Sequence, residues 1–360
     1  MKKQKWIAGR LVAAVTLFIA ALPLHAAEFA QQALRLVEQT YPADAPGAIV
    51  LVARGDEVLL RVARGRAVDA TGRPLTPDDR SHLGSLTKQM AAAGLMKLVE
   101  AGRVSLDDPL SKYVPDFTGG DRIAIALLLN HTSGISGLPD MARVPAGVLP
   151  QQASTDALVD AFKHKPPAFA PGERFAYNDS GYILVAKIIE SVSGKPWHEY
   201  LAESIFRPLG MKDTCYCPQA ALPSGHTTQS GQVKPSAPPS VTWENAAGAL
   251  ISSVDDMLKW NRALHEGRVL GSAAYQRMVT PRGPSGNYAF GIDHAPLRGH
   301  EQLSHGGSVI GYAAHLLYLP GPDVTVAVLR NFNDGHEYEA AGALARKLAL
   351  MALGEPAELK

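Results

Sequence analysis

Cysteine is almost missing from this 360-residue chain, which has two, Cys215 and Cys217, separated by a single residue. Two such residues cannot staple a small disulfide framework, so stability has to come from a buried core. The pair reads as local structure, either a short disulfide loop or, with His226, the start of a zinc site. No second ligand cluster has recognisable metal spacing, and the cluster-like His294, His300 and His305 match no standard motif. No metal and no organic cofactor is therefore expected. An excess of charge of one sign is lacking too: 35 Lys and Arg stand against 34 Asp and Glu. That balance speaks against a nucleic-acid partner. Several hydrolase signatures are absent as well. Gly134-Ile135-Ser136-Gly137-Leu138 lacks the last glycine of a nucleophile elbow, His198-Glu199 and His336-Glu337 lack the second histidine of a zinc protease, and there is no phosphate-binding glycine loop.

Only one long apolar run exists, Leu11 to Leu22, behind Lys2, Lys3, Lys5 and Arg10 and ahead of Pro23-Leu24-His25-Ala26-Ala27. It is short for a bilayer span and has the flanks of a secretory signal peptide. The expectation is a signal peptide over residues 1–26, no membrane span after its cleavage, and a periplasmic or secreted protein. Losing that segment leaves 31 Lys and Arg against 34 Asp and Glu.

What is present begins with Gly84-Ser85-Leu86-Thr87-Lys88, in which serine and lysine stand three residues apart at the start of an apolar helix ending near Gly102. That spacing sets both side chains on one helix face. A serine hydroxyl needs a base within reach, and an amine desolvated enough to be partly neutral is one of the few that serve. Free N–H groups at the same helix start can face an oxyanion.

The chain around this motif reads as α+β. Residues 47–53 and 58–63 flank Arg54-Gly55-Asp56-Glu57 as one hairpin, and residues 315–319 and 324–329 flank Pro320-Gly321-Pro322-Asp323 as another. A helix follows over about 337–353. The middle is helical in pattern, with residues 155–162 and 182–193 as clear cases, while residues 222–240 read as an irregular connection. The expected architecture is one domain over 27–355: a lobe of about 27–84 and 241–355 holding an antiparallel sheet and the terminal helices, with an all-helical lobe of about 85–240 inserted into it. Ser85 falls where the chain passes between lobes, which is where a cleft would form.

Two further motifs follow in order: Tyr177-Asn178-Asp179-Ser180-Gly181-Tyr182, after Pro171-Gly172-Glu173, and Ser304-His305-Gly306-Gly307-Ser308. With these the chain resembles the serine β-lactamase and penicillin-binding-protein superfamily, in the branch related to class C β-lactamases, D-Ala-D-Ala carboxypeptidases, D-aminopeptidases and some esterases. That family carries S-x-x-K, Y-x-N and a K-T-G or H-x-G triplet. Blocks at residues 128–135, 208–214 and 246–253 extend the likeness over nearly the whole chain.

The resemblance implies that Ser85 attacks a carbonyl to give an acyl-enzyme, that Lys88 and Tyr177 share the proton work, and that the N–H groups of Ser85 and Ser308 hold the oxyanion. A tyrosine serves as base near neutral pH only if positive charge lowers its pKa, and Lys88 is the expected source. His305, Gly306 and Gly307 would line the substrate, with bare glycines letting it approach the strand. His305 replaces the lysine of many relatives and is mostly neutral at pH 7, which weakens the case for β-lactams. Asp179 stands where Y-x-N has asparagine; a carboxylate only accepts, so it favours a substrate with a free ammonium, and it would also raise the pKa of Lys88. Asn178 could take the asparagine's part through a one-residue adjustment. Trp243, Tyr288, Phe290 and Tyr312 are candidates for the pocket wall and for the core alike, and His131 reads as part of a structural turn. The expected partner is a small-molecule or peptide substrate, peptidoglycan fragments and β-lactams among them. The competing class is a non-catalytic cell-wall or peptide-binding protein.

Overall fold

The computed structural model describes residues 21–67, 72–138, 152–218, 220–237, 240–333 and 338–358. Most of the segment read as a signal peptide lies outside these residues. The first described helix, α1, runs Ala21–Thr40. Among the described residues no helix is long and apolar enough to cross a membrane.

Strand β1 (Ala48–Arg54) is apolar along nearly its whole length because it is covered on both faces. Successive side chains point to opposite sides of a strand, so Ala48, Val50 and Val52 enter one core while Ile49, Leu51 and Ala53 enter another. The first core is closed by Phe29, Ala33 and Val37 of α1 and by Leu344 and Leu348 near the C-terminus. The second contains Leu86, Met90, Met257 and Trp260 and continues into the helical middle of the chain.

β1 turns through Gly55 into β2 (Glu57–Arg64), as the sequence predicts. Short β3 (Ser81–His82) leads into the single turn Gly84–Leu86 and then α2 (Thr87–Glu100). The middle holds α3 (Ile125–Leu129), α4 (Thr155–Asp160), α5 (Asp179–Ser193) and α6 (Trp197–Leu201). The segment read as irregular contains a hairpin, β4 (His226–Gln229) and β5 (Gln232–Pro235), so this lobe is not purely helical. Its two-residue turn, Ser230-Gly231, has both φ angles positive (52° and 75°), the geometry that matches strand twist in tight hairpins. Its strands are polar and mostly exposed and give no apolar alternation to read.

After α7 (Val241–Gly248), β6 (Ile251–Ser252) pairs with β3, and α8 (Val254–His265) and α9 (Ser272–Val279) lead back to the main sheet. That sheet is completed by β7 (Asp293–Leu297), β8 (His300–Val309), β9 (Tyr312–Leu319) and β10 (Val324–Arg330), with α10 (Tyr338–Ala352) across it. Its order is β2-β1-β10-β9-β8-β7, antiparallel throughout, so the two chain ends are sewn together by β1 and β10 in the register Ala48↔Arg330 to Arg54↔Val324. Pairing of β7 with β8 reaches only to Asp293↔Ser304. Among the described residues no strand covers the outer edge of β8 from His305 to Val309, the stretch that passes Ser85.

Candidate active site

Ser85 sits on the tight turn ahead of α2, and the turn is pressed onto β8. Gly84 has φ +52°, and a β-carbon there would lie 2.5 Å from the Ser308 nitrogen. Only glycine meets both demands at no cost. The contact brings the Ser308 backbone beside the turn of the candidate nucleophile. Asn333 fixes Ser308 from behind, its Nδ2 donating to Ser308 Oγ at 2.6 Å and to the Val309 carbonyl at 3.0 Å.

Lys88, one helical turn after Ser85, is completely buried. Its ammonium donates to Ser85 Oγ at 2.9 Å and to the Ala247 carbonyl at 2.8 Å and pairs with Asp179 Oδ1 at 2.7 Å, with the Tyr177 hydroxyl also facing it. The ring centroids of Tyr177 and Tyr182 are 4.9 and 5.7 Å from Nζ. Burial alone would push this lysine's pKa down, but the charge of Asp179, with Tyr177 beside it, outweighs burial and holds it above the ordinary value. Lys88 is an ammonium in the resting site.

Tyr177 keeps 44% of its surface exposed on its ring, while its hydroxyl turns inward to Lys88 and Ser85. Burial of that hydroxyl raises the phenol's pKa, Lys88 draws it back, Asp179 adds to the rise, and the net direction is upward. This departs from the expectation that Lys88 would lower Tyr177 into the range of a neutral-pH base. The reason is burial of the hydroxyl first, with the charge of Asp179 adding to it against Lys88.

Asn178 does not take over the role of the family's asparagine. Its side-chain oxygen accepts the Ser180 N–H at 2.9 Å and caps α5, and its Nδ2 donates to the Ile135 carbonyl at 2.8 Å. Asp179, the first helical residue, is the one whose carboxylate reaches the site.

His305 is buried, with both ring nitrogens engaged: Nδ1 lies 2.5 Å from the Gly306 carbonyl and Nε2 lies 2.7 Å from the Tyr288 hydroxyl. Burial, with Lys88 nearby, lowers its pKa to about 4. Its ring is held between the Gly306 carbonyl and the Tyr288 hydroxyl. Gly307 also differs from expectation. A β-carbon there would come within 1.8 Å of the Leu83 carbonyl, so its missing side chain is required by the Ser85 turn packed against it. Gly306 and Ser308 are the half-buried positions on this part of the strand.

Three neighbours gain a place at the site: the sequence reads His131 as a structural turn, leaves Tyr288 between pocket wall and core, and says nothing of the Ala247 carbonyl. His131, at φ +59°, accepts the Asn178 N–H on Nδ1 at 3.2 Å and lies 4.2 Å, centroid to centroid, from Tyr177. Tyr288 joins His131 and His305, and the Ala247 carbonyl serves Lys88. The tripeptide Ala246-Ala247-Gly248 carried a signal as a family block, but a backbone carbonyl has no letter of its own. Phe290 and Tyr312 are buried in the core. A cavity of about 260 Å³ adjoins Tyr177 and Asn178 and is lined in part by Ile135, Phe169 and Arg174, whose guanidinium lies 4.1 Å from the Phe169 ring centroid. Cys215 and Cys217 are joined to each other as a disulfide, and among the described residues no group of three or more potential metal ligands converges.

Ser85, Lys88 and Tyr177 thus come together beside β8, as the resemblance to the Beta-lactamase family implies, with Asp179 as the departure. The family's sequence profile matches residues 34–351, and the chain belongs to it. It is 29% identical over 323 residues to a D-aminopeptidase of Brucella ovis, an alignment covering 86% of this chain and 60% of the relative. This chain thus spans about 60% of the length of the curated relatives it matches. The structure superposes on the octameric penicillin-binding protein homologue from Pyrococcus abyssi with a TM-score of 0.78 at 26% identity, covering 95% of this chain and 79% of that one. It is also similar to a D-stereospecific amidohydrolase from a Streptomyces species, with a TM-score of 0.71, 27% identity, and coverage of 85% and 94%.

Proposed function

We propose that this protein is a serine acyl hydrolase that cleaves amides of D-amino acids bearing a free amino group, in the manner of a D-aminopeptidase. One observation carries the reading: Asp179 holds Lys88 with Oδ1 while the side chain keeps 31% of its surface exposed. Its remaining oxygen can therefore accept from a substrate ammonium, which an asparagine amide would do less well. The D-aminopeptidase and D-stereospecific amidohydrolase relatives support the same choice.

In this mechanism the substrate lies along the open edge of β8, its carbonyl oxygen toward the N–H groups of Ser85 and Ser308. The cavity beside Tyr177 receives an apolar part of it. Ser85 Oγ bonds the carbonyl carbon as the serine proton passes to Lys88. Because Lys88 starts as an ammonium, it must release a proton as it takes one up, and Asp179 at 2.7 Å carries the charge able to receive it. The proton returns through Lys88 and Tyr177 to the leaving amine. Water then attacks the acyl-enzyme by the same route in reverse, and no metal or organic cofactor takes part.

β-Lactam hydrolysis is the weaker reading, because His305 is neutral and tied to Tyr288 where a lysine would offer a cation to a carboxylate. A carboxylesterase uses the same steps but leaves the ammonium acceptor without a purpose. We place the catalytic machinery in a single domain of about residues 27–355 and the protein in the periplasm or outside the cell, following the basic-then-apolar pattern of residues 1–26.

The test is hydrolysis of D-alanine p-nitroanilide, the L-isomer and benzylpenicillin, with intact mass recorded for the wild type and Ser85→Ala. Turnover of the D-amide that falls at least ~10³-fold in Ser85→Ala is expected. Full activity in Ser85→Ala overturns the nucleophile, and a fast Ser85-dependent loss of benzylpenicillin without D-amide turnover moves the assignment to a β-lactamase. A catalytically silent binding module would show neither turnover nor adduct.

A further inference from the structure

Helix α7 is broken at Asn245, whose backbone stands at φ 45° and ψ −142°. Residues with a side chain rarely adopt this conformation, and such strain persists only where the surroundings impose it. Here they do. Asn245 is buried, its Oδ1 accepts the Ala246 N–H at 2.7 Å, and its Nδ2 donates to Thr155 Oγ1 at 3.2 Å. Thr155 donates in turn to Glu190 Oε1 at 3.1 Å, and the same oxygen accepts the Trp197 N–H at 3.2 Å. Three helices, α4, α5 and α7, are thereby joined at one side chain.

Two residues past the break, the Ala247 carbonyl meets Lys88 Nζ at 2.8 Å. α7 ends at Gly248, so the Ala247 carbonyl has no partner within the helix and is open to one from outside. The turn at Asn245 sets the direction of the residues that carry it.

We propose that Asn245, held by Thr155 and Glu190, is a positioning residue for Lys88: it fixes the turn that presents the Ala247 carbonyl as an acceptor of the ammonium. The inference rests on the proposed role of Ser85 and Lys88. The other groups that face Lys88 are Asp179, Tyr177, Tyr182, His131 and His305, and none of them can replace a carbonyl on the α7 side. Without that carbonyl the ammonium is less stabilised, and Lys88 loses its proton at a lower pH.

The test compares wild type, Asn245→Ala, Asn245→Gly and Thr155→Val for D-alanine p-nitroanilide hydrolysis across pH, with thermal melts alongside. Asn245→Ala is expected to lower kcat about tenfold or more with little change in KM, and to move the alkaline limb of the rate profile down by about one pH unit, the size of one charge-assisted hydrogen bond. Asn245→Gly lacks the side chain but adopts positive φ freely, so it should recover part of the lost kcat. Thr155→Val removes the two hydrogen bonds to Asn245 and Glu190 but leaves the Asn245 side chain in place, and should give a smaller loss with the same shift; it decides the matter if Asn245→Ala does not fold. Wild-type kcat and an unmoved alkaline limb in Thr155→Val and Asn245→Gly overturn the proposal, as does an equal loss in the glycine and alanine variants with no shift. Wild-type protein without Ser85-dependent turnover overturns the functional reading and this inference with it, and is recognised before any variant is compared.

Discussion

Asp179 Oδ1 lies 2.7 Å from Lys88 Nζ, and this pair sets the charge state of the whole site. The carboxylate holds the lysine's pKa above its ordinary value despite complete burial, and it adds to the burial that raises the pKa of Tyr177. Lys88 and Tyr177 are thus both shifted toward their protonated forms.

Asp179→Asn should convert substrate preference. A charge-assisted hydrogen bond contributes ~1.5–3 kcal/mol, so kcat/KM for D-alaninamide should fall roughly 10- to 150-fold relative to N-acetyl-D-alaninamide. An unchanged ratio between the two substrates would remove Asp179 from substrate recognition while leaving its contact with Lys88 intact.

Folding stability should fall in mild acid. Burial lowers the pKa of His305, and of His82 outside the site, from 6.5 to about 4. A histidine with a depressed folded pKa binds fewer protons than in the unfolded chain between those values, so its contribution is complete above about 6.5 and is lost as pH falls toward 4. Urea midpoints at pH 7.5 and 4.5 measure this, and the lower midpoint is expected at 4.5. Equal midpoints would mean that these rings are not held neutral by the fold.

Gly307→Ala should damage fold and site together, because the new methyl would meet the Leu83 carbonyl at 1.8 Å. Overpacking of this kind costs about 1–3 kcal/mol or more, and here the atom in the way is backbone. The check is the thermal midpoint beside that of Gly321→Ala, where nothing lies within 4 Å. A Gly307→Ala protein as stable and as active as the Gly321→Ala control would show that the Ser85 turn can draw away from β8.

The sequence made the sheet legible where strands are apolar and turns are marked by Gly, Pro and Asp, as at Gly55 and Asp323. It did not reveal the β4–β5 hairpin, whose exposed polar strands carry no alternation. Ser85 and Lys88 could be paired from spacing alone, since one helical turn settles their geometry. Tyr288 against His305 and Ala247 against Lys88 could not, because those contacts arise only when distant elements pack. Asn178 and Asp179 were the ambiguous pair, and which of them faces the site was decided by the start of α5: the capping residue turns its side chain back onto the backbone, and its successor is left to point outward.

The pairing of β1 with β10 has a consequence for biogenesis. A nascent chain emerging from the ribosome has its candidate nucleophile early and the proposed oxyanion wall late, because β1 finds its neighbour, and the Ser85 turn its seat on Ser308, only after nearly the whole polypeptide has been made. Contacts so remote in sequence are slow to close. Truncated products would therefore carry an intact S-x-x-K motif with nothing to oppose it, and the proposed hydrolytic competence would arrive with the last strands rather than accumulate during synthesis.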